Sequence, residues 1–284
     1  MSGSGEPRIE VLPDPEATSR AAATAIADAL VDAVAQRGRA LWVTTGGSTP
    51  VGIYRNLSVD PLRDIVPWAD VEVWWGDDRY VPRDHPLSNV LPLDQVLLSA
   101  SAKAGLSGTG EYAVDVETHV EPGVRLPVGN IHAPRMNDAI GLAAGPEWAA
   151  EEYADRLRDA GLPLSDDGFP VFDLVLVGVG PDGHFMSVFP RSPLFDSDVW
   201  VSAVPAPTHI EPHVPRISMN PRILDAARLP MVVAHGAGKA EIMASLLGDE
   251  RDVRRWPAQL ARREGAVWFL DAAAAASLPS SAQG

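Results

Sequence analysis

The sequence of 284 residues contains no cysteine, which excludes disulfide bonds, thiolate metal sites and cysteine nucleophiles. It also has few lysines, because 21 of its 23 basic residues are arginines and only Lys103 and Lys239 remain. No apolar run reaches the roughly 18 residues that a membrane-spanning helix needs. Residues 1–8 are polar and lack the apolar core of a signal peptide, so we expect a cytoplasmic protein.

Positive charge is scarce in the whole chain, whose formal net charge is −15. Such an acidic protein is a poor partner for nucleic acid or for an anionic membrane, and we expect neither. Hydrophobic residues make up 46% of the chain, which indicates a globular protein. If the ligand is a small anion, its site must gather basic side chains locally.

Apolar runs alternate with helical patterns along most of the chain, which predicts an α/β fold with a mostly parallel sheet covered by helices on both faces. The clearest helix begins at Asp14-Pro15-Glu16, where an N-cap precedes a proline, and ends at Gly38. Further predicted helices follow Pro50, cover 87–98, 147–160 and 239–247, and begin at Asp271. The predicted strands are 40–44, 71–75, 172–177, 200–204, 229–234 and 266–270.

We predict one domain over residues 9–276, with flexible tails at 1–8 and 277–284. The segment 99–130 breaks the alternation of strands and helices. Apolar and polar residues alternate there from Tyr112 to Glu121, which is the period of a half-buried strand. We interpret the segment as a small β insertion on the edge of the fold, with a structural role.

Polar, glycine-containing segments follow four predicted strands, whose carboxyl ends meet at one edge of a parallel sheet, where ligands bind. The most informative segment, 175–190, reads V-L-V-G-V-G-P-D-G-H-F-M-S-V-F-P. It places Asp182 and His184 in the same predicted loop. His184 is the best candidate for a general base, since an unperturbed imidazole titrates near neutrality. Asp182 lies two residues away and could set the tautomer of that imidazole.

The same loop contains Gly178, Gly180 and Gly183, which spell the G-x-G-x-x-G fingerprint of dinucleotide-binding proteins. That interpretation requires a long helix after the loop and an acidic residue at the end of the next strand. Pro190 limits any helix to about two turns, and the next predicted strand ends without an acid. We therefore disfavour a nucleotide site.

The loop after strand 40–44 contains Gly46, Gly47, Ser48 and Thr49 immediately before a helix. Two glycines followed by two hydroxyl side chains at a helix start can cradle a phosphate. The alternative is an ordinary strand-to-helix turn in which Ser48 or Thr49 is the N-cap. The local sequence favours neither interpretation.

Three other segments supply basic side chains. Arg79 of Asp77-Asp78-Arg79 could bind a phosphate or carboxylate in a fork, and Asp77 could orient a catalytic group, although such a triplet alone is more typical of a surface ion pair. Lys239 stands at a predicted helix start, where a cation opposes the helix dipole, so anion binding explains it better than helix stability. Arg216 is a weaker candidate of the same kind.

The remaining histidines have no comparable setting and are predicted to be structural; they are His85, His119, His132, His209, His213 and His235. His209 and His213 are four residues apart, but Pro212 and Pro215 forbid the helix that would place both on one metal ion.

The ordered motifs together resemble those of 6-phosphogluconolactonases. They are Gly47-Ser48-Thr49-Pro50, Gly76-Asp77-Asp78-Arg79, Ser88-Asn89, Gly180-Pro181-Asp182-Gly183-His184, Arg216-Ile217-Ser218 and Gly238-Lys239-Ala240. The resemblance runs from about Ile9 to Ala276, apart from 99–130, and implies the sugar-phosphate isomerase and deaminase type of α/β fold. It implies hydrolysis of 6-phospho-D-glucono-1,5-lactone to 6-phosphogluconate in the oxidative pentose phosphate pathway, with no metal or organic cofactor. Whether the protein is a monomer or a homodimer is left open.

The resemblance also implies residue roles. His184 would activate a water molecule, and Asp182 would orient the imidazole of His184. Arg79 and Asp77 would complete the catalytic set. The implied substrate- and phosphate-binding residues are Gly46, Gly47, Ser48, Thr49, Gly180, Arg216 and Lys239. Backbone amides of the glycine turn or Arg79 would stabilise the oxyanion, and the sequence leaves open which arginine meets the phosphate.

The sequence departs from the family pattern at Asp78, where glutamate is usual, and at Phe185 and Met186, where threonine and alanine are usual. Glucosamine-6-phosphate deaminases are a rival with the same fold, but they carry a catalytic glutamate five residues after the histidine, where this chain has Phe189. They also have tyrosine in place of Arg79. A sugar-phosphate sensor without catalysis is a third alternative, which the intact histidine and aspartate make less favourable.

Overall fold

The computed structural model describes residues 5–98 and 123–278, which form two β-sheets with flanking helices. The main sheet has the order β1-β10-β9-β6-β2-β3-β5 and is parallel at every described pairing. A smaller antiparallel sheet has the order β4-β8-β7. The strands are β1 (Arg8–Leu12), β2 (Ala40–Thr44), β3 (Val71–Trp75), β4 (Asp77–Arg79), β5 (Ile131–His132), β6 (Leu174–Val177), β7 (Val201–Val204), β8 (Arg216–Met219), β9 (Leu229–Ala234) and β10 (Val267–Asp271).

The helices follow the local capping signals of the sequence. The Asp14 carboxylate accepts a hydrogen bond from the Ala17 amide at 2.7 Å and begins the first helix, and Gly38, with a φ of 76°, ends it. The described helices are α1 (Pro15–Arg37), α2 (Thr49–Leu57), α3 (Leu62–Ile65), α4 (Met136–Gly141), α5 (Gly145–Asp159), α6 (Pro221–Ala226) and α7 (Ala240–Leu247).

Both faces of the main sheet are covered, because successive residues of its strands enter two different buried clusters. In β2, Trp42 belongs to the cluster that contains Ile26 of α1, whereas Val43 belongs to the one that contains Leu157 of α5. Full burial of a side chain such as Ile26 contributes about 1.5–3 kcal/mol to stability. The predicted parallel sheet with helices on both faces is confirmed.

The small sheet was not predicted. Only Gly76 separates β3 from β4, so the chain leaves the main sheet at its carboxyl edge and pairs at once with β8. In this antiparallel register, Asp77 lies opposite Ser218 and Arg79 lies opposite Arg216. The small sheet therefore brings two motifs that are distant in sequence to the same edge of the main sheet.

Two predicted helices differ in the structure. The helix predicted at 87–98 is replaced by turns, which are followed by a wide helical turn at Leu93–Leu97. The Asn89 amide donates to the Asp78 carboxylate at 2.7 Å and is therefore not available for a helical hydrogen bond to a backbone carbonyl. No helix begins at Asp271, which ends β10. Its carboxylate accepts hydrogen bonds from the Gly236 and Ala274 amides and holds the chain in turns.

The packed structure extends slightly beyond the predicted domain bounds, since β1 begins at Arg8 and Leu278 is buried in the core. The alternating strand predicted from Tyr112 to Glu121 lies outside the described residues, as do 1–4 and 279–284. In the described part of the chain, no helix has the length and apolar character needed to cross a membrane.

Candidate active site

Four strands that precede polar loops lie side by side in the order β9-β6-β2-β3. Because they are parallel, their carboxyl ends form one edge of the sheet. The segments at this edge are Gly46–Thr49 after β2, Gly76 and strand β4 after β3, Gly178–His184 after β6 and Gly236–Lys239 after β9. The prediction that these motifs share one edge is confirmed.

His184 and Asp182 form a close pair in the loop after β6. The His184 Nδ1 atom lies 2.5 Å from Asp182 Oδ1, which also accepts the His184 amide at 3.2 Å. Burial raises the pKa of Asp182, but its hydrogen bonds to His184 and the imidazole charge outweigh burial and hold that pKa well below the usual range. With Nδ1 engaged by an ionised carboxylate, Nε2 of His184 is the ring nitrogen left to accept a proton.

Gly180 makes room for the His184 imidazole. A Cβ atom at Gly180 would lie 2.0 Å from both Nδ1 and Cε1 of the ring, so no other residue fits there without moving the imidazole. The Gly180 amide donates to the His184 carbonyl at 2.8 Å, and the Gly183 amide donates to the Gly180 carbonyl at 3.1 Å. Both glycine amides are therefore used within the turn, and Gly180 leaves the space that the imidazole occupies.

Lys239 and the Gly46–Thr49 loop approach the same turn from either side. Lys239 Nζ donates to the Val179 carbonyl at 2.6 Å, and burial lowers the pKa of Lys239 although the charge of Asp182 opposes this. On the other side, Thr49 Oγ1 lies 3.3 Å from where a Cβ on Gly178 would be. Ser48 is the N-cap residue of α2, but its side chain makes no capping hydrogen bond. Its hydroxyl is exposed, which favours the phosphate-cradle interpretation of this loop over a simple helix cap.

Asp77 connects three motif segments and is buried. Its Oδ2 accepts a hydrogen bond from Ser187 Oγ at 2.7 Å, and its Oδ1 accepts one from Asn89 Nδ2 at 2.9 Å. Asn89 in turn packs against Gly46, where a Cβ atom would lie 2.0 Å from Asn89 Oδ1. The structure thus places Asp77 in the support of the site, joined to the loops around His184 rather than to its ring.

Asp78 is buried and accepts hydrogen bonds from backbone amides. Its Oδ1 accepts the amides of Arg79 at 2.8 Å and Asn89 at 2.7 Å, which fixes the turn between β4 and the following loop. Burial raises the pKa of Asp78 to about 7. Since the carboxyl group is engaged by backbone amides, the change from the family's usual glutamate falls on the framework of the loop.

Arg79 and Arg216 lie directly opposite each other across β4 and β8. Each uses one guanidinium nitrogen on a carbonyl, Arg79 on Leu87 at 2.8 Å and Arg216 on Pro212 at 2.9 Å. The Nε atoms of both are buried without a hydrogen-bond partner in the described part of the protein. Arg216 is only 2% exposed, and burial lowers its pKa. Like charges opposite each other are unfavourable by themselves, so this arrangement favours an anionic ligand between or beside them.

The aromatic ring of Phe189 joins the histidine and arginine parts of the site. Its centroid lies 4.7 Å from that of His184, and the Arg216 guanidinium carbon lies 5.4 Å from the same ring. This is the position at which the rival deaminases carry a carboxylate. An apolar wall therefore faces the imidazole where an acid would be needed for that chemistry.

His209 is a site residue that the sequence interpretation missed. Its Nε2 atom lies 3.1 Å from Asp182 Oδ2, on the carboxylate oxygen that His184 leaves free. The residue lies in a proline-rich segment between β7 and β8, and no local pattern distinguishes it from the structural histidines. Only the path of this loop over the edge of the sheet brings it to the aspartate.

Comparison with known proteins agrees with the family resemblance and with the fold. The family described as glucosamine-6-phosphate isomerases/6-phosphogluconolactonase matches residues 13–269. The chain belongs to this family. The 6-phosphogluconolactonase of Streptomyces coelicolor is 33% identical over 281 residues, which cover 98% of this chain and 97% of that protein. The 6-phosphogluconolactonase of Mycobacterium tuberculosis is 31% identical over 273 residues, covering 96% and 98%.

Solved structures of the family share the architecture. The 6-phosphogluconolactonase of Trypanosoma brucei matches with a TM-score of 0.78 and 26% identity, covering 97% of this chain and 100% of that one. A monomeric glucosamine-6-phosphate deaminase matches with a TM-score of 0.70 at 16% identity, over 95% and 99% of the two chains. The second similarity shows the fold alone.

The departures from the family pattern next to His184 fall in the core. Phe185 is fully buried and belongs to the same buried cluster as Val43 of β2 and Leu157 of α5. Met186 has a φ of 50° and packs where a Cβ on Gly76 would lie, 2.5 Å from its Cε. The loop is followed by a short turn of 3₁₀ helix at Pro193–Asp196 rather than a long helix, so this family member lacks the structure that a dinucleotide site requires.

Proposed function

We propose that the protein hydrolyses 6-phospho-D-glucono-1,5-lactone to 6-phospho-D-gluconate in the oxidative pentose phosphate pathway. The observation that carries the proposal is the His184–Asp182 pair beside Lys239, Arg79 and Arg216 in a chain of net charge −15. An acidic protein that gathers basic groups around a histidine is suited to an anionic substrate that needs a general base. The names of the relatives described above support the same reaction.

In the proposed mechanism, His184 Nε2 takes a proton from water as the water oxygen attacks the lactone carbonyl. Asp182 holds Nδ1 and stabilises the imidazolium that forms. The tetrahedral intermediate collapses with cleavage of the bond from the carbonyl carbon to the ring oxygen, and the imidazolium returns its proton to that oxygen. A lactone is an activated ester, so the reaction requires no covalent nucleophile.

Two negative charges of the reacting substrate need stabilisation, that of the phosphate and that of the developing oxyanion. The phosphate is assigned to Lys239 with the Gly46–Thr49 loop, since the lysine and the loop approach the glycine turn from opposite sides. Because the Gly180 and Gly183 amides are occupied within the turn, Arg79 is the better candidate for the developing oxyanion. Arg216 then contacts the sugar or the phosphate from the Phe189 side.

The remaining parts of the proposal concern the setting of the enzyme. It works in the cytoplasm on a small-molecule sugar-phosphate lactone, as a monomer or homodimer, without nucleic acid or membrane partners. It needs no metal or organic cofactor, since the base, the anion-binding groups and the oxyanion donor are all side chains of this chain.

Two rival functions are separated by direct assay. Freshly prepared lactone is supplied and acid release is followed, with the spontaneous rate subtracted. The proposal predicts saturable hydrolysis of the phosphorylated lactone and no ammonia release from glucosamine 6-phosphate, because Phe189 occupies the position of the deaminase carboxylate. Ammonia release would establish the deaminase. Binding of 6-phosphogluconate by calorimetry without any turnover of lactone would establish a sensor.

A further inference from the structure

Asp182 is shared by two histidines. Its Oδ1 lies 2.5 Å from His184 Nδ1, and its Oδ2 lies 3.1 Å from His209 Nε2. The His209 ring also packs edge-on against Phe189 at 5.5 Å, and Phe189 contacts His184 at 4.7 Å. The two imidazoles are thus connected both through a carboxylate and through an aromatic ring.

The loop that carries His209 is held at both ends. His213 Nδ1 lies 2.6 Å from the Pro207 carbonyl, which closes the loop on itself, and Arg216 donates to the Pro212 carbonyl at 2.9 Å. The His209 side chain is 53% exposed, whereas that of His184 is 14% exposed. His209 therefore stands between solvent and the carboxylate that orients His184.

We infer that His209 is a positioning residue for His184 and acts by holding the second oxygen of the Asp182 carboxylate. The inference rests on the proposed lactone hydrolysis. A carboxylate bonded through one oxygen only can rotate about its Cβ–Cγ bond, and a donor on the other oxygen fixes its plane. A fixed plane keeps the His184 ring, and with it Nε2, in one orientation towards the substrate carbonyl.

Three variants separate orientation from charge. His209→Gln keeps an N–H donor at the reach of Nε2 but cannot be charged, and His209→Leu removes the donor. Glu211→Gln is the matched control, because it also converts an ionisable side chain of this loop to glutamine and Glu211 contacts His213 rather than Asp182. Each is assayed on fresh lactone from pH 5 to 9, and the histidine side chains are followed by 1H–15N NMR.

In His209→Leu we expect kcat to fall about five- to tenfold with KM within about twofold, the effect of losing one hydrogen bond that orients the base. In His209→Gln we expect kcat near wild type, because the glutamine N–H can still donate to the Asp182 carboxylate. Glu211→Gln should match wild type. An active wild type with unchanged kcat in His209→Leu overturns the inference, and so does an equal loss of kcat in His209→Gln and His209→Leu.

The proposed function is tested separately by the wild-type enzyme. If wild type does not hydrolyse the lactone, the proposed function fails and the NMR spectra decide the contact on their own. Movement of the His184 ring resonances in His209→Leu, with none in Glu211→Gln, supports the bridge through Asp182. Unmoved His184 resonances in both overturn it.

Discussion

Gly180 and His184 are in direct contact across the turn that follows β6. The Gly180 amide donates to the His184 carbonyl at 2.8 Å, and the imidazole occupies the space that a Gly180 side chain would need. The glycine thus leaves room for the ring, while Asp182 holds the Nδ1 atom of the ring. The motif resembles a phosphate-binding glycine loop, but its glycine at position 180 leaves the space in which the candidate base lies.

We predict that Gly180→Ala lowers kcat on the lactone by at least about 10²-fold, because the ring must move and a misplaced base loses most of its effect. Gly129→Ala is the matched control, since a Cβ at Gly129 meets no heavy atom within 4 Å. Steady-state hydrolysis and thermal unfolding are measured for both variants. A folded Gly180→Ala enzyme with wild-type turnover would show that the imidazole position is not critical.

His184→Ala should lower kcat by roughly 10²–10⁴-fold with the fold intact, the typical contribution of a general base. Circular dichroism and the melting temperature establish that the variant is folded. Hydrolysis is measured on fresh lactone after subtraction of the spontaneous rate. Near wild-type turnover would remove His184 from the mechanism and leave the pair with Asp182 as a structural contact.

Lys239→Met should lower kcat/KM for the phosphorylated lactone by an amount equivalent to about 1.5–3 kcal/mol, which is the usual contribution of a charge-assisted hydrogen bond. Methionine keeps most of the length of the side chain without the charge. The control is unphosphorylated gluconolactone, for which the loss should be small. Equal losses on both substrates would mean that Lys239 acts through its contact with Val179 rather than on the phosphate.

The parts of the fold that were predictable from the sequence depend on neighbouring residues. Asp14 and Gly38 mark the ends of α1 because both caps act within one turn of the helix. β4 was not predictable, because Asp77-Asp78-Arg79 has no strand pattern and pairs with β8, far along the chain. The pairing of Arg79 with Arg216 follows from that register and has no local signal.

The candidate site shows the same division. Asp182 and His184 lie in one loop, so their pairing was foreseeable from two residues of spacing. His209 is 27 residues from Asp182, and its contact depends on how the loop before β8 crosses the edge of the sheet. The sequence also does not reveal that the Gly180 amide donates to the His184 carbonyl, because this hydrogen bond depends on the conformation of the whole turn.

Asp78 gives a prediction about stability and pH. Burial raises its pKa from 3.8 to about 7, so the folded protein binds more protons than the unfolded chain between these values. The stability that the protonated form contributes is present at low pH and is lost as the pH rises through 7. Asp78→Asn keeps the acceptor for the Arg79 and Asn89 amides but has no proton to lose.

We therefore expect the unfolding free energy of Asp78→Asn minus that of wild type to be about 2–3 kcal/mol larger at pH 8 than at pH 5, so that the variant gains stability relative to wild type as the pH rises. Urea unfolding at the two pH values measures it. Asp159→Asn, an exposed change of the same kind at the end of α5, should show no such difference. An equal effect of Asp78→Asn at both pH values contradicts the assignment of a buried, protonated carboxyl.

The arginine pair predicts a conflict between stability and binding. Arg216 is buried opposite Arg79 with its Nε atom unpartnered, an arrangement that costs folding free energy until an anion is bound. Arg216→Met fills similar space without the charge. Without ligand its melting temperature should exceed that of wild type by about 2 °C or more, since replacing an incompletely paired buried charge with an apolar side chain is often stabilising.

The same variant should lose the response to anions. In wild type, 6-phosphogluconate should raise the melting temperature, because a ligand that binds only the folded state stabilises it. Arg216→Met should show a much smaller rise, whereas Arg222→Met, which removes an exposed arginine paired with Asp198, should keep the wild-type response. If Arg216→Met is strongly destabilised without ligand and still responds fully to 6-phosphogluconate, Arg216 is a structural residue that balances Asp77, and the anion is bound elsewhere.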